Sequence, residues 1–200
     1  MVSTKIGATA LFAIASIAAA NADIVILVGP GGVDGDENIL FNEPGLIDQG
    51  LTIEGITNNT SRIVDFVGQE ELVSPSGGQA RVEATDGGYT DLYVELPDEP
   101  DTYTSLVFNI NSSADGTVDL TIDSDNTPQV LGSFDISEGG QNFFRVIASD
   151  ASVINRVTMH TSVDMMDVRQ IRIGGIVPEP ASFVALGCGV AMLAALRRRR

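Results

Sequence analysis

Hydrophobic and polar positions alternate along most of the chain in short runs. Val118, Leu120 and Ile122 alternate with Thr117, Asp119 and Thr121. Leu92, Val94 and Leu96 alternate with Tyr93 and Glu95, and Leu106, Phe108 and Ile110 with Val107 and Asn109. Phe144, Val146 and Ala148 stand opposite Phe143, Arg145 and Ile147; Val157 and Met159 alternate with Arg156, Thr158 and His160, and Ile171 and Ile173 with Gln170, Arg172 and Gly174. A period of two marks a strand with one face buried. Further strands are expected at 24–28, 51–57, 62–67, 79–84 and 131–136. No window between 23 and 176 keeps a helical period.

Turn residues separate these runs: Gly29-Pro30-Gly31-Gly32, Gly50, Asn58-Asn59, Gly77-Gly78, Asp86-Gly87-Gly88, Asp115-Gly116, Asp125-Asn126 and Gly139-Gly140. Gly, Asn and Asp tolerate the positive φ of tight turns. Asp115-Gly116 predicts a hairpin joining 104–110 to 117–122. About ten strands at intervals of roughly 8–12 residues predict an all-β domain over 23–176, a β-sandwich, with the jelly roll as one such arrangement. A domain of this length buries about 68–70% of its unfolded surface, so it requires no disulfide.

The two ends break the pattern. Lys5, the apolar stretch 6–17 and the Ala20-Asn21-Ala22 site read as a secretory signal peptide over 1–22, cleaved before Asp23. At the other end Val177-Pro178-Glu179-Pro180 precedes an apolar run over 181–196, closed by Arg197, Arg198, Arg199 and Arg200. As a helix that run spans about 24 Å at about 1.5 Å per residue. This is short for a hydrocarbon core of roughly 30 Å, though snorkelling arginines lengthen its reach. The terminal arginines belong on the cytoplasmic side, which puts the domain outside.

Charge narrows the function. The chain holds 27 acidic and 11 basic residues, for a net charge of −16. Segment 23–180 carries all 27 acidic residues and only six basic ones, a net of −21. A surface this acidic repels phosphate backbones, which argues against a nucleic-acid partner. One Cys and one His leave no disulfide framework, CxxC zinc site or His-rich metal site. Cys188 reads as a packed small residue in the terminal helix.

Candidate chemistry is sparse. His160 falls on the polar side of its strand and reads as a surface histidine, and no Gly-x-Ser-x-Gly elbow supplies a nucleophile. Adjacent carboxylates such as Glu70-Glu71 read as solvated charge. Calcium is the candidate cofactor: Asp34, Asp36 and Asn38 offer oxygens at alternating positions, as do Asp123 and Asp125. The first set departs from an EF-hand loop, with Ile39 at the sixth position and Gly45 at the twelfth. Sugar recognition needs an aromatic platform and fixed polar groups, which Tyr89, Tyr93 and Tyr103 with Asp91, Asp98 and Asp101 offer.

The C-terminal Pro178-Glu179-Pro180, the apolar 181–196 and the closing arginines together resemble the PEP-CTERM sorting signal of Gram-negative bacteria. The resemblance implies an exported protein, held at the inner membrane by its C-terminal helix and cleaved near the Pro-Glu-Pro motif by an exosortase. The stretch from Gly140 to Gly175, ending in Gln170, Arg172, Ile173, Gly174 and Gly175, is similar to the last strands of sandwich domains in many such proteins. The expectation is a non-catalytic cell-surface or extracellular-matrix protein. The alternative is a carbohydrate- or calcium-binding sandwich module associated with extracellular polysaccharide.

Overall fold

The computed structural model describes residues 23–31, 36–75, 80–97, 101–124, 127–149 and 152–176. The segments 1–22 and 177–200, with the cleavage site, the Pro-Glu-Pro motif and the terminal arginines, lie outside the described residues. Among the described residues no helix is long and apolar enough to cross a membrane.

The chain is all-β. Its strands are β1 (Asp23–Val28), β2 (Glu37–Leu40), β3 (Gln49–Thr57), β4 (Ile63–Val73), β5 (Arg81–Ala84), β6 (Tyr89–Glu95), β7 (Ser105–Ser112), β8 (Gly116–Ser124), β9 (Thr127–Ile136), β10 (Gly139–Ser149) and β11 (Arg156–Gly174). All the pairings between them are antiparallel.

The long β11 organises the fold. Its first part, 156–161, runs between β6 and β8. Its second part, 165–174, pairs with β7 along one edge and with β5 and β2 along the other. The register shift between His160 and Met165 marks the bend where one strand leaves the first layer and enters the second. The first layer thus runs β3-β4-β6-β11-β8-β9, and the second runs β1-β10-β7-β11 with β2 and β5 beyond. The pairings β11–β2, β2–β3, β3–β4, β4–β6 and β6–β11 close a circuit, which gives the sandwich a barrel-like side. β1 and β9 are edge strands, each paired with one neighbour.

The alternating apolar residues meet between the layers. Phe108 and Phe144 stack with ring centroids 5.5 Å apart, and Phe134 of β9 meets Phe144 edge-on at 5.7 Å, joining strands that share no ladder. Leu92, Val94, Leu106, Ile110, Leu120, Val146, Val157 and Met159 are all buried around them. Each such side chain contributes on the order of 1.5–3 kcal/mol by leaving water.

Two sequence expectations change. Asp115-Gly116 does not close a hairpin. Both edges of β7 are already taken by β10 and β11, so the turn carries the chain across to β8 in the other layer. And 156–160 and 170–174 are the two ends of one strand, because β11 stays paired through its bend.

Candidate ligand-binding face

Each layer turns one polar face outward. On the first layer, Arg156 stands between Glu95 of β6 and Asp123 of β8, and His160 between Asp91 and Asp119. The Arg156 Nη2 lies 2.6 Å from Glu95 Oε2, and its guanidinium carbon sits 4.5 Å from the centroid of Tyr93. Burial works against the Arg156 charge, and Glu95 beside it more than offsets that, so the guanidinium is held firmly protonated. His160 Nδ1 is 2.8 Å from Asp91 Oδ1 on an exposed side chain. Each basic side chain of this face thus has a carboxylate beside it.

The tyrosine platform expected from the sequence does not assemble. Tyr89 and Tyr103 are fully buried, and their hydroxyls donate to the Val82 and Val94 carbonyls at 3.0 Å. Both stand in core positions, and only Tyr93 faces outward, half-buried beneath Arg156. Asp101 pairs with Arg62 at 2.9 Å, and Asp98 lies outside the described residues.

Each of the two candidate calcium loops is described only in part. Asp34 and Asp125 lie outside the described residues. Asp36 accepts a hydrogen bond from the Ser105 hydroxyl on the second layer, Asn38 is exposed on β2, and Asp123 lies beside Arg156 on the first layer. Among the described residues no group of three His, Cys, Asp or Glu side chains is placed to hold a metal. Glu37, between two of these candidates, has a structural task instead. Its carboxylate accepts the backbone N–H groups of Asn59 and Thr60.

A groove of about 790 Å³ opens between the 40–48 loop and Ser74, Pro75 and Ala80. Its walls mix apolar residues, among them Leu40, Phe41, Leu46 and Pro75, with polar ones that include Glu43 and Asp48.

The second layer carries the constellation that local spacing did not reveal. On its outward side Phe143 of β10, Asn109 of β7 and Arg169 of β11 stand in one row, continued by Arg81 of β5. The next row is Arg145, Val107 and Arg172, and on the far side Asn111 stands opposite Asp167. Asn109 is 2% exposed and Asp167 6%. The Asn109 amide donates to Gln170 Oε1 at 3.2 Å, and the Asn111 amide to Asp167 Oδ2 at 2.6 Å. Asn109 Oδ1 and Arg145 Nε are buried without a hydrogen-bond partner, and so is Asp167 Oδ1, whose one charged neighbour among the described residues is Arg169 Nε at 3.5 Å. Such atoms are rare in folded proteins, and each costs about 1–3 kcal/mol where water or a ligand does not satisfy it.

The backbone is adapted to this face. Gln170 has φ 56° at a bulge where two residues of β11 oppose one of β7. This left-handed conformation is unfavourable for a residue with a Cβ, and such strain concentrates at functional sites. Gly140 leaves room for the Arg169 guanidinium, which a Cβ there would displace, and Gly31 lies directly against the guanidinium of Arg145.

No protein-family model matches the chain, and no curated protein does. Among solved structures, a ligand-recognition mutant of the family 29 carbohydrate-binding module CBM29-2 aligns over 77% of this chain and 89% of its own, at 10% identity and a TM-score of 0.28. A second family 29 carbohydrate-binding module aligns over 78% of this chain and 88% of its own, at 10% identity and a TM-score of 0.28. The module CBM29_1 from Piromyces equi aligns over 76% of this chain and 88% of its own, at 8% identity and a TM-score of 0.25. At TM-scores of this size the likeness decides nothing about this chain.

Proposed function

We propose that the protein is an exported, non-catalytic glycan-binding module, and that the outward face around Asn109 is its binding surface. One observation carries the reading. Asn109 is nearly inaccessible yet keeps an oxygen without a hydrogen-bond partner, opposite the half-buried Phe143, and the buried Asp167 Oδ1 has only Arg169 Nε, at 3.5 Å. A sugar supplies what that arrangement lacks. Its hydroxyls donate to orphaned oxygens, and its C–H face covers an aromatic ring. The strained Gln170, exposed beside Asn109, is placed to exchange its bond to the Asn109 amide for one to a ligand.

Export rests on the two termini. The signal peptide releases the chain at Asp23, the apolar 181–196 holds it at the inner membrane, and an exosortase cleaves near Pro178-Glu179-Pro180. The sandwich then serves at the cell surface or in the extracellular polysaccharide. Peptide mass spectrometry of released protein tests this arm. Released protein with an intact 181–200 segment removes it.

Affinity electrophoresis through gels containing soluble polysaccharides tests the binding arm. At least one polysaccharide retards the protein, and the Asn109→Leu and Phe143→Ala variants, folded by circular dichroism, lose that retardation. Retardation unchanged in both folded variants, or absent on every polysaccharide, overturns the reading.

A further inference from the structure

We propose that this face selects an acidic glycan, a polyuronate chain whose carboxylates are received by Arg145, Arg172 and Arg169. The inference rests on the glycan-binding reading and names its ligand class.

Charge distribution is the first argument. Segment 23–180 has six arginines against 27 acidic residues. Four of the six, Arg81, Arg145, Arg169 and Arg172, stand on adjacent rows of this one outward face. The other two are committed elsewhere, Arg62 to Asp101 and Arg156 to Glu95. In a chain so rich in carboxylates, arginines are the scarce partner, and most surfaces would pair them. Among the described residues, however, no carboxylate lies within ion-pair distance of Arg145 or Arg172. Arg169 has only a loose contact to Asp167, at 3.5 Å, and Arg81 is paired with Glu83.

Geometry is the second. Arg145 on β10 and Arg172 on β11 flank Val107 on β7, so their backbones are two strand spacings apart, about 9.6 Å. That separation suits a polymer presenting successive carboxylates better than one small anion. A guanidinium receives a carboxylate with two parallel N–H donors, a match that an ammonium lacks. Arg145 Nε is a buried donor without an acceptor, so that nitrogen is not committed to any described group. Asn109 and Phe143, in the row beside them, meet the sugar rings between the acids. The acidity around the face sharpens selectivity, because a polyanion is repelled wherever the arginines do not receive it.

The test compares polygalacturonate and alginate with a neutral glucomannan, using the intact chain in detergent and EDTA, so that no metal bridges two carboxylates. The polyuronates bind about tenfold or more tighter than the neutral chain, and added salt erodes that preference. Arg145→Gln with Arg172→Gln removes most of the preference, leaving the share of Arg169, and keeps the weaker neutral binding in place. Arg145→Lys with Arg172→Lys, which keeps the charge and the fold but not the fork, recovers only part of it. Equal affinity for neutral and acidic chains overturns the acidic assignment while the glycan reading stands. A preference undiminished in the Gln double variant, or one that salt does not weaken, also overturns it. Failure to bind any polysaccharide removes both.

Discussion

The carboxylate of Glu37 accepts the backbone N–H of Asn59 at 2.9 Å and of Thr60 at 2.8 Å, reaching from β2 to hold the turn between β3 and β4. Burial disfavours the charged form, but the Thr60 and Asn59 N–H groups outweigh it and hold the carboxyl below its ordinary range. A depressed folded-state pKa stabilises the fold above the unfolded value, about 4.3 for Glu, and the contribution is lost as pH falls through the lower folded value. Glu37→Ala therefore destabilises the protein near neutral pH by about 2 kcal/mol. The difference from the parent shrinks below pH ~4. Chemical denaturation across that range measures it, and a deficit independent of pH contradicts the assignment.

Tyr103 and Tyr89 tie buried hydroxyls to the Val94 and Val82 carbonyls. Tyr103→Phe costs about 1 kcal/mol, a fall of roughly 2–4 °C in Tm, and leaves glycan retention unchanged. Burial pushes both phenols up. Folded-state pKa values above the unfolded value of about 10 keep their contribution whole below that pH and lose it as pH rises. Ultraviolet titration shows these two tyrosines ionising only as the fold opens. Their ionisation in a protein still folded by circular dichroism refutes this.

The strands were legible where one face is dry and the other wet. Leu120 and Ile122 against Asp119 and Thr121 is the plainest case, and both apolar residues are fully buried. β2 was hidden because Glu37–Leu40 is only four residues long and follows acidic turn residues, whose oxygens read as ligands. The span 161–167 broke the period because β11 bends there from one layer to the other. The Asn109 face was illegible for a different reason. Its members come from β5, β7, β10 and β11, and only the sheet register brings Phe143, Asn109 and Arg169 into one row. Within β7, Asn109 looked like the wet side of an alternating strand, yet β10 and β11 on both sides leave it 2% exposed.

Gln170 sets stability against binding. Its φ of 56° costs a residue with a Cβ about 1 kcal/mol, which glycine avoids. Gln170→Gly accordingly raises stability by up to about 1 kcal/mol, less the greater freedom of glycine in the unfolded chain. It also removes the acceptor of the Asn109 amide and weakens glycan retention. Thermal melts and affinity electrophoresis on the same variant read both. A loss of stability together with unaltered binding argues against the assignment.

Gly140 separates shape from charge at the same face. A Cβ there strikes the Arg169 guanidinium, the far end of a flexible side chain, so the arginine swings away and the fold is little disturbed. Gly140→Ala shifts Tm by under about 2 °C and weakens polyuronate binding several-fold. A large drop in Tm, or binding at the parent level, contradicts the placement.

The 19-residue β11 also decides how the domain bears load. A tug on the chain beyond residue 176 enters along the axis of this strand. Its ladders with β2, β5, β7, β6 and β8 lie crosswise to that pull. The hydrogen bonds of 165–174 to β2, β5 and β7 are strained together, in shear, and the bend passes load to the β6 and β8 ladders only after them. β1, held by β10 alone, has no such sharing, and a pull across it peels its ladder bond by bond. Pulled by its C-terminal end, the sandwich loads the strand with the most partners; pulled across β1, it opens at a strand with one.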